Sequence, residues 1–511
     1  MTNGSEQYHF TATVDVVIGD IPACTDMSGN VGHCANLGCR ICNILAVTVR
    51  SRSKKFPSPW QCNPTITDRT KADFEKPVLK KGLKAKTPFF LMNNFHGPFF
   101  FGLDEMHLLG ANLGPKIWSI INDNDQNILG NYNPLFLRSK YKQLIGQALL
   151  QCDRESDSHG LEGKFQDVSK KAGYLRSVDW VEFIMFALPI IVIEALQLQM
   201  KEVIEKEAKS RTPTMNQAGL VALAKSVEQS CSELSSFSRL CRLLQKFSLS
   251  KSDIAEIDRL IKSWFAYVSS SLNYSPKVLT INMHYLYHVP TAIQNLGLLR
   301  LISAPPMERT IGNLKQHIKS RKQPASNAFS AIKKQIVQRS ADEQAMMRGI
   351  GESRISYKSQ YYSLVEISWQ HLLGRIQIKK ITSYFPTMAG QTLKFTRTSS
   401  ATAGLNNVIF APETSDVFCD ELIPSHQQQT ANKKRKLGSI RMMYNDGVND
   451  LALIQVYSPI SLNQFGANFF NKEAAACRTA IIHLKSVVSY AILMPFLASN
   501  NKNLRYILWR E

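Results

Sequence analysis

From Trp118 to about Leu299, apolar residues return every three or four positions. Val227, Cys231, Leu234, Phe237, Cys241, Leu244 and Phe247 make one stripe. Ile254, Ile257, Ile261, Trp264, Phe265 and Val268 make another, behind N-cap candidates from Ser250 to Asp253. Such spacing gathers the apolar side chains on one helix face, so the stretch is predicted helical and the stripes are core, with no ligand assigned to them. Residues 12–19, ATVDVVIG, alternate weakly and are rich in Val and Ile. They predict a buried strand that ends in Asp20-Ile21-Pro22-Ala23. A loop-rich stretch with His33, Cys34, Cys39 and Cys42 follows. Pro305-Pro306 suit a helix start, with Met307, Ile311, Leu314 and Ile318 as its apolar face. Leu451 to Tyr457, Val487 to Leu493 and Leu504 to Trp509 are strand-like and predict a small β-rich C-terminal domain. The expected class is α+β.

Charge narrows the functional classes. Among 511 residues, 61 Lys and Arg against 40 Asp and Glu leave +21, a balance that favours polyanions. The longest apolar run, Phe183 to Ile193, holds Pro189 and is too short to span a bilayer, and MTNGSEQYHF lacks the pattern of a signal peptide. No membrane partner is expected. No phosphate-cradling glycine loop, nucleotide fingerprint or serine elbow occurs, so no nucleotide cofactor is expected either. Residues 50–86 hold eleven Lys/Arg against three Asp/Glu, interleaved with Phe56, Trp60 and Phe74. This is a basic surface segment, open to two readings: phosphate contact with base stacking, or a plain solvated loop. Pro412 to Ser439 is polar and reads as a linker; its cluster Lys433, Lys434, Arg435 and Lys436 fits a nuclear import signal. Ten cysteines make no disulfide scaffold, and the four between Cys24 and Cys42 point instead to metal binding in a reducing compartment.

Several short motifs occur in one order. They are Gly19-Asp20-Ile21-Pro22-Ala23, Cys39-x2-Cys42, Asp104-Glu105-Met106-His107, Arg176-Ser177 with Asp179-Trp180, Asn282-Met283-His284 with His288, and Pro306-Met307-Glu308-Arg309 with Gly312-Asn313-Leu314-Lys315. Together, over about residues 12 to 325, they resemble a CACTA (En/Spm) class transposase. The resemblance implies a partial RNase H-like core with a large all-helical insertion. Residues 1–117 would form the core, 118–300 the insertion and 301–345 the closing helix with a basic segment. A connecting region at 346–411, the linker at 412–440 and the β-rich domain at 441–511 complete the chain.

The resemblance also implies chemistry: carboxylates holding Mg²⁺ or Mn²⁺ for DNA strand cleavage and transfer. Asp20 matches the second carboxylate and Glu308 the third. The first is missing, because only nineteen residues precede Asp20, and Asp15, five residues back on one strand, points to the opposite face. Cleavage is therefore expected to be slow or absent. Asp104 is a spare acid, and Asp104 with His107 is either a candidate polar pair behind the site or a plain helix N-terminal Asp with a partly buried His. The lost strands would leave an open sheet edge, which favours a homo-oligomer. By residues alone, Asp20 reads as a turn cap and Glu308 as a first-turn helix acid.

Cys39-x2-Cys42 is half of a tetrahedral zinc set and His284-x3-His288 has the spacing of the other half. The alternatives are a local set of His33, Cys34, Cys39 and Cys42, or a reduced cysteine pair with core histidines. Arg309 to Arg339 carries eight Lys/Arg and no Asp/Glu, so Lys315, Lys319, Arg321, Lys333 and Lys334 are candidate DNA contacts. The expected function is a nuclear, transposase-derived DNA-binding protein. The competing class is a basic helical interaction protein that binds protein or RNA.

Overall fold

The computed structural model describes residues 13–46, 66–122, 133–155, 163–269, 278–318 and 322–347 continuously, and beyond these the strands between 2 and 57 and between 380 and 509, with residues 496–497. Lys319, Arg321, Lys433, Lys434 and Arg435 lie outside the described residues.

The helical body follows the sequence pattern. In Gln217–Leu244 the stripe from Val227 to Leu244 is buried, and in Lys251–Ser269 so are Ile257, Ile261, Trp264, Phe265 and Val268. The two helices meet at Phe237 and Trp264, whose ring centroids are 4.6 Å apart. Phe247 falls past the helix end and is 59% exposed, with the Arg300 guanidinium over its ring. Ser177–Lys209 is one continuous helix, longer than its apolar run, and the only one among the described residues long and apolar enough to cross a membrane. Most of that apolar window is buried inside the protein, which makes it the central core helix. Its segment Phe183–Val192 is wound as a π-helix around Pro189, a residue with no N–H to donate. Met106–Leu113 crosses the start of this helix so closely that a Cβ on Gly110 would meet Ser177 O at 2.2 Å.

The strand expected over residues 12–19 contracts to one parallel bridge. Val17 lies beside Phe101, with Val17 N–H on Phe100 O and Gly102 N–H on Val17 O, both at 2.8 Å. Among the described residues it has this one partner segment, and Val14 stays 40% exposed. Asp20 then caps a helix, Ile21–Ser28, accepting from Ala23 N–H at 2.8 Å, and Pro22 sits in its first turn.

The C-terminal strands form an antiparallel ten-stranded sheet. Its central order is Leu504–Trp509, Val487–Pro495, Asn407–Phe410, Lys436–Asn445, Asp450–Ser458 and Ala476–His483. The sheet is larger than three apolar runs suggested and begins earlier. Asn407–Phe410 and Val417–Phe418 pair into it ahead of residue 441, and Lys436 opens a strand instead of closing a linker. Met494 and Tyr506 join the main helical core, and Leu497 N–H donates to Glu194 Oε1 at 3.0 Å.

Candidate metal centre

Two elements more than 240 residues apart build the centre, Cys42 and His284 being 242 apart and Cys39 and His288 249. Thr280 caps the short helix Ile281–Tyr285, its hydroxyl accepting from Met283 N–H. The chain continues through a tight turn at Leu286–His288 into Val289–Leu296, so His284 and His288 share a face. Opposite them, Cys39 to Cys42 form a turn in which Cys39 Sγ accepts the N–H groups of Ile41 and Cys42, both at 3.4 Å. Cys42 Sγ stands 3.2 Å from His284 Nε2, Cys39 Sγ 3.6 Å from His288 Nε2, and the two Nε2 atoms 3.1 Å apart. All four ligand atoms lie within 4.8 Å of one another and all four residues are buried. Tetrahedral zinc, with bonds of about 2.0 to 2.3 Å, holds its ligand atoms about 3.3 to 3.8 Å apart. The cluster can therefore hold a metal such as zinc. His33 and the exposed Cys34 are not part of it, so the local alternative is not the set that forms.

Electrostatics suit a cation. Burial pushes the Cys39 thiol up, but the Cys42 hydrogen bond and the charges of His284 and His288 outweigh it and hold it well below its ordinary value. The proton is kept instead by Cys42, raised by its bond to Cys39 and by burial. Desolvation lowers His284. A metal would replace the shared protons and take both thiolates.

The surrounding shell is the part that charge counting concealed. His288 Nδ1 faces Asp68 Oδ1 at 3.4 Å, which turns Nε2 toward the sulfurs. Arg69, buried, donates from Nε and Nη2 to Cys39 O at 3.1 and 3.0 Å. Arg40, also buried, donates to Gly102 O at 2.9 Å and lies over the Tyr285 ring. The 50–86 segment is thus partly structural. Phe74, 1% exposed, packs with Phe95 and Phe101 and is unavailable for base stacking. Trp60 lies outside the described residues, as does the Phe56 side chain.

The acidic candidates lie on neighbouring segments. Asp20 and Asp104 each stand three residues past the bridged pair Val17 and Phe101, at the same end of two parallel segments. Asp104 is buried, and its four acceptor positions are taken: Oδ1 by Met106 N–H and Ala304 N–H, Oδ2 by His107 N–H and His107 Nδ1. Burial raises its pKa, but the His107 and backbone bonds outweigh this and hold it below its ordinary value. His107 is raised, first by the Asp104 bond, and the charges of Asp104, Asp20 and Glu308 add to the rise. Glu308, exposed, lies one turn into Pro305–His317, its N–H on Ala304 O at 2.9 Å. The polar pair Asp104 and His107 thus forms, while Asp20 and Glu308 act on the imidazole only through their charge. Asp104, with its oxygens engaged, does not fit as a bridging metal ligand.

Lys315, Lys333 and Lys334 are exposed. The apolar face expected on Pro305–His317 is only half-covered: Met307 is 40% exposed, and Ile311, Leu314 and Ile318 are half-buried. Comparison with models of protein families, with curated proteins and with solved structures finds no match.

Proposed function

We propose that the chain is a transposase-derived DNA-binding protein with an RNase H-like core. It retains a remnant of a metal-dependent strand cleavage and transfer site and acts in the nucleus. One observation carries this reading. Two pairs of residues far apart in sequence close on each other in the order of the motifs: Cys39 and Cys42 on His284 and His288. In this reading zinc occupies the Cys2His2 cluster and fixes the loop that leads, through Arg40 and Gly102, to the acidic end. DNA phosphates are met by the basic stretch that follows Glu308, and Lys433 to Lys436 serve nuclear import.

A second reading has its own support. On Pro324–Met347, Phe329 is 69% exposed, Ile336 61% and Val337 62%, a surface that suits a protein or RNA partner. Titration of a labelled duplex separates the two. The DNA reading expects binding that falls steeply with salt, and the partner reading expects none at physiological salt. Incubation with Mg²⁺ or Mn²⁺, beside Asp20→Asn and Glu308→Gln controls, tests the remnant. Equal silence from all is expected.

A further inference from the structure

Ile193–Lys209 and Gln217–Leu244 pack together and leave an open groove of about 450 Å³ between them. Met200 and Ile204, four residues apart, line one side, and Ala224 and Val227, three apart, line the other. These spacings follow one face of each helix. Met200 and Val227 are buried, whereas Ile204 is 41% exposed, so apolar surface is left facing water. A groove between two such rows receives a third helix, through anchors at i, i+3 and i+7.

The chain itself carries an uncovered helix with that pattern. On Pro324–Met347, Phe329, Ile332 and Ile336 stand at i, i+3 and i+7 and are all exposed, with Val337 beside them. Ala331, about 200° around the helix from Phe329, is the buried residue. The side that packs on Pro305–His317 is thus opposite the apolar stripe. Charge complements shape. The groove carries Glu205 and Glu228 against one Lys201, an acidic spot on a chain whose net charge is +21. The helix carries Lys333, four residues after Phe329, and Lys334. Among the described residues neither acid and neither lysine makes an ion pair.

We propose that the stripe of Phe329, Ile332 and Ile336 on one copy of the chain seats in the groove of a second copy, with Lys333 and Lys334 against Glu205 and Glu228. Exchanged both ways, the contact closes into a dimer with both grooves filled. Apolar surface on both partners leaves water, and the opposite charges set which face the helix chooses. The contact uses helix faces and not the open sheet edge expected from the sequence. Lys333 and Lys334 are also candidate DNA contacts, so the dimer withdraws them from phosphates. The dimer goes beyond the DNA-binding reading and does not rest on it.

The test is sedimentation equilibrium of the full chain, without DNA, over a range of concentrations. The wild type should pass from monomer to dimer as concentration rises, and the dimer should weaken with salt. Ile336→Asp should weaken it at least about tenfold. Glu205→Lys with Glu228→Lys should weaken it too, as should Lys333→Glu with Lys334→Glu. All five positions are exposed, so the variants keep their fold. The two charge-reversed proteins, mixed in equal amounts, should form a mixed dimer, because each groove then meets a helix of opposite charge. A wild type that stays monomeric at every concentration overturns the proposal, whether the groove is then filled by the chain's own helix or by a different protein. A dimer that neither reversal weakens, or reversed proteins that fail to pair when mixed, overturns it as well.

Discussion

Ala304 donates its backbone N–H to Asp104 Oδ1 at 2.7 Å, across 200 residues of sequence. That bond fastens the start of the helix carrying Glu308 to the segment beside Asp20. The carboxylate is buried and also accepts from Met106, His107 and the His107 ring, so it works as a joint. Asp104→Ala would leave three backbone donors and an imidazole without their acceptor. A loss of about 3 kcal/mol is expected in urea unfolding, within the range for several unpaired buried groups.

The same pair makes stability depend on pH in a defined window. His107 is raised above 6.5 in the folded chain, so its contribution is full below that pH and is lost as pH rises through the raised value. Asp104 is held below 3.8, so its contribution is present above that pH and is lost as pH falls through the lowered value. The pair is therefore most stabilising between about pH 4 and 6.5. The difference in Tm between wild type and His107→Ala should be greatest there and shrink as pH rises through the raised His107 value.

Purified protein prepared without chelator should carry about one zinc per chain. Cys39→Ser should release it and lower Tm by several degrees, because the binding energy of a buried metal is folding energy. Metal analysis that finds no zinc in the wild type would count against the centre.

Asp68 is not a ligand in this arrangement, yet it fixes His288 through Nδ1. Asp68→Asn should keep the zinc stoichiometry and weaken zinc affinity about tenfold in chelator competition. Unchanged affinity would mean that the half-exposed carboxylate leaves the ring orientation to packing.

Periodicity made the helical body legible. Leu234 and Phe237 sit on a stripe that can only be buried one way. The ligand residues were legible as two half-sites, Cys39-x2-Cys42 and His284-x3-His288, although spacing alone could not say that they meet. The rest was hidden for physical reasons. Asp68 and Arg69 lie in a stretch whose charge count reads as solvated, and only the fold turns them inward onto His288 and Cys39. Val17 has the composition of a sheet strand but finds a single neighbour. Asp104 has the look of a spare ligand because a sequence does not show that its oxygens are already occupied. The C-terminal sheet begins before the composition changes, since short strands such as Asn407–Phe410 carry too few residues to show a period.

The most direct measurement is the salt dependence of duplex DNA binding, read by fluorescence anisotropy for the wild type and a Lys315→Gln, Lys333→Gln, Lys334→Gln variant. All three lysines are exposed, so the variant keeps its fold. The wild type should bind with a log–log salt slope of several units. The variant should bind more weakly, with the slope reduced by about one unit for each phosphate that is no longer neutralised. A wild type that does not bind DNA, or a variant with unchanged affinity and slope, would contradict the account.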